Sequence, residues 1–266
     1  MSDVIRNCRL KMHRAMDHRD AINARIEAYA SGDAYKVLLQ SHSEREHVSI
    51  REPDPEISVL VGELIYQCRS TLDHLFFELV KRNQRGIDLP ARWEHDAAFP
   101  LHLKRPDGVP SSPVPFAKFG SKSKAWISDR AFELIEQLQP YNSGSPQTQL
   151  RALQKFSNVD KHRYLHTAIG TVEVTDVAVS ASGQLTSIGF PVKDGAELNQ
   201  ASLPPEWVDV PMHMKRMLTP KIVLEDETVV DNVRFQIFEF EQLVNQLPST
   251  IAWRIIPIFE YLYDHP

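Results

Sequence analysis

The 266 residues are 42% hydrophobic and 24% charged, with a formal net charge of −5. That is the composition of a globular chain, long enough for one large or two small domains. Ten glycines, about 4% against roughly 7% on average, count against glycine-hungry dinucleotide folds, propellers and porins, and a pI of about 6.1 excludes a generic polycation, so nucleic-acid binding would need a local patch.

Cys8 and Cys68 lie far apart, which fits a reducing compartment and excludes a disulfide framework or a cysteine-based zinc site. The first residues, MSDVIRNCRLKMHR, contain no apolar signal-like stretch. No run approaches the roughly 18 apolar residues of a membrane span. The expectation is a cytoplasmic protein with no membrane partner.

Residues 4–30 read as a helix, free of glycine and proline until Ser31-Gly32. Residues 1–26 carry six Lys/Arg against three Asp, whereas 219–266 carry three basic and eight acidic residues. The two ends therefore differ in sign and attract each other. Residues 35–51 read as a β-hairpin around the polar centre SHSERE.

A strong helix follows over 54–83. Asp54 caps it and Pro55 occupies its first turn. Ile57, Leu60, Val61, Leu64, Ile65, Cys68, Leu72, Leu75, Phe76 and Leu79 form one apolar stripe. Residues 84–122, with RPDGVPSSPVP, read as an irregular surface excursion. Two more helices span 126–138 and 146–163, the second opened by Ser145-Pro146 as cap and first-turn proline. From Tyr164 the pattern turns to period two, with strands in HTAIGTVEVTDVAVS, QLTSIGF and KIVLEDETVV. Residues 236–263 return to helical spacing, with Pro248 and Pro257 placed to bend or interrupt them.

The expected fold is therefore α+β. A long-helix bundle core (4–30, 54–83, 126–163 and 236–263) carries a β-hairpin near the N-terminus at 35–51. A β-rich block is inserted at 164–232, all within a single domain over 1–266.

Two polar constellations stand out. On the 54–83 helix, the face opposite the apolar stripe holds Tyr66, Arg69, Ser70, Asp73, His74 and Phe77 within about 140° of arc. Arg69 and Asp73 are at i,i+4 and can pair. The second is Asn158-Val159-Asp160-Lys161-His162-Arg163, at the end of the 146–163 helix. Asp160 continues the side of Leu150, Leu153 and Phe156, so its carboxylate needs a partner, and Arg69 is the obvious one. Lys161, His162 and Arg163 crowd the helix C-terminus, where the dipole favours cations. Such clusters are also what a buried network fixing helix register looks like.

RSTLDHL at 69–75 resembles the R-x4-6-H motif of the HEPN superfamily, as Arg69-x4-His74. QPY at 139–141 and LRALQKFSNVDKHRYL at 150–165 resemble a set of bacterial and phage proteins that pair an R-x-x-L-D-H helix with a downstream N-x-D-K-H-R. The resemblance covers roughly 55–166. It implies a helical bundle that forms a homodimer, and a metal-independent ribonuclease or RNA-binding protein without a cofactor. His74 would then handle the proton as a 2′-hydroxyl attacks the adjacent phosphate, and Arg69 would stabilise the phosphorane charge. Asp73 would orient one of them. Lys161, His162 and Arg163 would hold RNA phosphates, with Asn158 and Asp160 as a supporting network. The position after the Arg, often a polar amide in that superfamily, is Ser70.

Two other readings stay open. One is a non-enzymatic interaction protein whose Arg-Asp-His network is purely structural. The other is a metal-dependent hydrolase using His74, His162 and His166 with Asp73 or Asp160, although no tight H-E-x-x-H or H-x3-H pair is present. No phosphate-binding G-x-x-x-x-G-K-[ST] or G-x-S-x-G nucleophile elbow occurs.

Overall fold

The computed structural model describes residues 3–39, 46–83, 93–102, 126–142, 144–162, 168–179, 185–192, 213–224 and 240–265. These are mostly helical, with a small antiparallel hairpin near the N-terminus. No helix among the described residues is long and apolar enough to cross a membrane. The contacts gather in two compact units. The first is Met1–Ala21, Val59–His166 and Glu239–Pro266; the second is Ile22–Ser58 and Thr167–Phe238.

Helices α1 (Asp3–Ser31) and α2 (Glu56–Asn83) contribute to both units. In the first unit, α1 buries Ile5, Cys8, Met12 and Ala15 at steps of three and four. Asp54 Oδ1 accepts the Glu56 N–H at 3.0 Å, the cap that starts α2 beyond Pro55. The apolar stripe of α2 lies inside as its spacing predicts. Ile57, Val61, Leu64, Ile65, Cys68, Leu72, Leu75, Phe76 and Leu79 are all buried, while Leu60 is half-buried.

The stretch expected as a surface excursion supplies part of this core. Residues Trp93–Asp96 form a single turn, α3, and Trp93 stacks on Phe77 with centroids 5.2 Å apart. After it Ala97, Phe99, Pro100 and Leu101 are buried. The Phe99 ring lies 6.4 Å edge-on from Phe76 and 6.2 Å from Phe259. The RPDGVPSSPVP run lies outside the described residues.

Helix α4 (Asp129–Gln137) starts where Ser128 accepts the Ala131 N–H, and it buries Ala131, Phe132 and Ile135. Helix α5 (Gln147–His162) follows. Ser145, expected as its cap, takes part in hydrogen bonds from Arg254 Nη1, at 2.9 Å through Oγ and 3.2 Å through its carbonyl. Gln149 inside α5 donates to both Gln242 and Gln246.

The C-terminal helix is not interrupted by its prolines. It runs as a π-turn (Gln242–Gln246), α6 (Leu247–Thr250), a second π-turn (Ile251–Ile255) and α7 (Ile256–Asp264). Each proline sits at the second position of the α segment that follows a π-turn. A proline ring collides with the carbonyl of the preceding turn, and one widened turn relieves that collision without ending the helix.

In the second unit, β1 (Tyr35–Leu39) and β2 (Glu46–Ile50) pair antiparallel, from Tyr35↔Ile50 to Leu39↔Glu46. Strand β3 (Ala168–Val179) lies between β4 (Leu185–Val192) and β5 (His213–Leu224), antiparallel to both. Tyr29 donates its hydroxyl to the Arg51 carbonyl at 2.8 Å. Gly170 of β3 packs against this bond so closely that a Cβ there would stand 2.3 Å from the Tyr29 oxygen and 2.8 Å from Ile50.

Candidate functional site

The polar face of α2 packs along α1 within the first unit. Lys11 reaches Ser70 and His74, and His18 reaches Glu63. Higher positions on α1 meet lower positions on α2, so the two helices run antiparallel along a shared polar seam. Steps of three, four and seven keep Lys11, Arg14 and His18 on one side of α1. They likewise keep Glu63, Tyr66, Gln67, Ser70 and His74 on one side of α2.

Lys11 is the residue sequence reasoning missed. Its Nζ donates to Ser70 Oγ at 2.6 Å and lies 3.0 Å from His74 Nδ1. With Lys11 as the ammonium, it donates and the neutral imidazole accepts through Nδ1, leaving the His74 proton on Nε2. Burial holds the His74 pKa below its ordinary value, the Lys11 charge lowers it further, and Asp73 opposes both. Burial also lowers the Lys11 pKa, against the pull of Asp73 and Cys8. Two cations side by side are costly in partly desolvated surroundings, so the pair favours carrying a single charge. Only the basic excess of residues 1–26 hinted at Lys11. Its position opposite His74 is set by the packing of two helices.

Arg69 and Asp73 pair as their i,i+4 spacing predicts, with Arg69 Nε donating to Asp73 Oδ2 at 3.2 Å and Nη2 3.0 Å from Oδ1. Their remaining capacity goes to one residue. Arg69 Nη2 donates to the Phe99 carbonyl at 2.8 Å, and Asp73 Oδ1 accepts the Phe99 N–H at 2.9 Å. The pair clamps both backbone polar groups of the buried Phe99. The Arg69 side chain is only 14% exposed. Arg69 was expected to serve as partner of Asp160; the partners the structure gives it are Asp73 and Phe99. The motif thus divides, its Arg-Asp half turned to the backbone and its His half turned to Lys11 at the surface.

Next to this site, and still in the seam, lies a groove of about 520 Å³ lined by Arg14, His18, Val59, Gly62, Glu63, Tyr66 and Gln67. His18 is buried, with Nδ1 3.3 Å from Glu63 Oε2. Tyr66 is 65% exposed.

Residues 158–162 end α5, and their side chains lie outside the described residues, as does Arg163. His166, one of the metal ligands considered above, lies outside them too. Among the described residues, no group of three or more His, Cys, Asp and Glu side chains is placed to hold a metal ion. No known protein family matches the chain, and no curated protein or solved structure matches it.

Proposed function

We propose that the chain is a HEPN-like, metal-independent endoribonuclease in which His74 and Lys11, rather than His74 and Arg69, act on the RNA phosphate. The observation that carries this is Lys11 Nζ at 3.0 Å from His74 Nδ1 and 2.6 Å from Ser70 Oγ. This puts a titratable imidazole beside a cation and a hydroxyl, with His74 itself exposed.

An incoming phosphate offers the ammonium a stronger acceptor than an imidazole nitrogen. Lys11 then turns to a non-bridging phosphate oxygen and releases His74 Nδ1. The imidazole takes the proton of the 2′-hydroxyl as that oxygen attacks phosphorus and the bond to the 5′-oxygen breaks. Asp73, which raises the His74 pKa, stabilises the imidazolium so formed. The imidazolium returns its proton to the leaving 5′-oxygen, giving a 2′,3′-cyclic phosphate and a 5′-hydroxyl. Arg69 positions the helix face through Phe99. Lys161, His162 and Arg163 remain the proposed phosphate contacts further along the RNA, supported by Asn158 and Asp160. The reading includes a homodimer and a β-rich block carried as an insertion between α5 and the C-terminal helix.

The test is RNA cleavage in EDTA by wild type, His74→Ala and Lys11→Ala, each checked for folding by a thermal melt. Cleavage by wild type alone, with all three folded, supports the reading. No cleavage by any of them sinks it.

A second reading is favoured by the Phe99 clamp. The Arg-Asp part of the motif is structural, and the chain is an interaction protein without enzymatic activity. Under it Arg69→Ala lowers the melting temperature strongly and no cleavage appears.

A further inference from the structure

The groove beside the Lys11–His74 pair contains chemistry that a phosphate does not use. Its α2 wall carries a carboxylate, Glu63, an amide, Gln67, and an exposed aromatic ring, Tyr66. A carboxylate repels the RNA backbone but accepts N–H groups well. The buried His18 stands with Nδ1 3.3 Å from one oxygen of Glu63, while the Glu63 side chain remains half exposed toward the groove. The volume of about 520 Å³ falls within the range of small-molecule sites and accommodates one aromatic heterocycle. The seam also links this groove to the reactive pair. Glu63 and Ser70 are separated by two helical turns, about 10 Å, and Arg14 lies on α1 between Lys11 and His18.

We infer that this groove is a base-recognition subsite for an unpaired guanine in single-stranded RNA, next to the phosphate handled by Lys11 and His74. This rests on the ribonuclease reading and adds its substrate preference. Guanine is the one common base that presents two adjacent donors, N1–H and the N2 amine, on its pairing edge, and a carboxylate accepts both at once. Tyr66 supplies a face for stacking, and Gln67 a donor for the guanine O6 acceptor. The edge that Glu63 reads is consumed in a duplex, so the site selects single strands. Arg14, on the opposite wall, is placed for the adjoining phosphate.

The experiment measures binding of short 2′-O-methyl oligoadenylates, which cannot be cleaved through the 2′-oxygen, carrying a single central guanine, inosine or adenine. Fluorescence anisotropy is read at fixed salt for the full chain and for Glu63→Gln, Tyr66→Ala and Lys11→Ala. The expected order is guanine, then inosine, which lacks the N2 amine, then adenine, with guanine bound roughly tenfold tighter than adenine. Glu63→Gln abolishes the preference without weakening the adenine oligonucleotide. Tyr66→Ala weakens all three by roughly tenfold, and Lys11→Ala weakens all three while the order is kept. Equal affinity for the three by wild type, or a preference that survives Glu63→Gln, overturns the guanine subsite and leaves the ribonuclease reading standing. No binding of any oligonucleotide by folded wild type overturns both.

Discussion

Lys11 Nζ stands 3.0 Å from His74 Nδ1, an arrangement that is favourable while one of the two is neutral and unfavourable when both are charged. The consequence is a stability that depends on pH. The His74 pKa is lowered in the folded chain, by burial first and by Lys11 next. The unfolded chain keeps the ordinary value of about 6.5 and so binds more protons as the pH falls through that point. The contribution of neutral His74 is therefore present above about pH 6.5 and is lost as the pH drops toward the lowered folded value. His102, also lowered by burial, acts in the same direction. Melts of wild type and His74→Asn between pH 7.5 and pH 5 separate the two, because the variant keeps the His102 share and lacks that of His74. Wild type is expected to lose more melting temperature than the variant; parallel curves would show that the Lys11–His74 contact does not couple to folding.

The Phe99 clamp makes Arg69 and Asp73 important to stability. Asp73→Ala removes the acceptor of the buried Phe99 N–H and the partner of Arg69 together. An orphaned buried donor costs about 1–3 kcal/mol. Urea unfolding of Asp73→Ala and Arg69→Ala should each show a loss in that range. In the double variant the losses should be clearly less than additive, since the two residues serve one backbone site. Full additivity would mean that the two side chains act independently of Phe99.

Phe99 itself is a core residue in a segment without helical periodicity. Its ring lies between Phe76 of α2 and Phe259 of α7 and is 1% exposed. Phe99→Ala is expected to cost about 3–5 kcal/mol by equilibrium unfolding, as for other buried aromatic rings. Phe99→Leu keeps more of the volume and should recover much of that loss. A loss below 1 kcal/mol for Phe99→Ala would place the segment outside the cooperative core.

These residues also show where the sequence was informative. The stripe of α2, its Asp54 cap and the Arg69–Asp73 pair follow from spacing along one helix, which the sequence displays directly. Phe99 and Lys11 meet α2 through tertiary packing, and no spacing within one element records which turn of α1 faces which turn of α2. Pro248 and Pro257 were legible as disturbances but not in kind. A proline in a helix can be met by a break, a kink or one widened turn, and the buried neighbours Leu247, Ile251, Ile255 and Ile256 favour continuing the helix. The surface reading of 84–122 failed at 97–102 because proline and glycine farther along dominated its composition, while the buried run from Phe99 to Leu101 is too short to register.

The second unit contains a steric test that is independent of the seam. A Cβ at Gly170 would stand 2.3 Å from the Tyr29 hydroxyl oxygen, 2.8 Å from Ile50 and 3.0 Å from the Arg51 carbonyl oxygen. Two of these neighbours are held together by the Tyr29 hydrogen bond to Arg51, so the ring cannot swing away without breaking it. Gly170→Ala is therefore expected to destabilise the unit by about 1–3 kcal/mol, the usual cost of overpacking. Tyr29→Phe removes the closest atom at the cost of one hydrogen bond, about 1 kcal/mol. Once that oxygen is gone, adding the methyl of Gly170→Ala should cost less than it does in wild type. A thermodynamic cycle of the two single variants and the double variant reads this directly as a favourable coupling between positions 29 and 170. Zero coupling would mean that the backbone of β3, rather than the tyrosine, gives way to the added methyl.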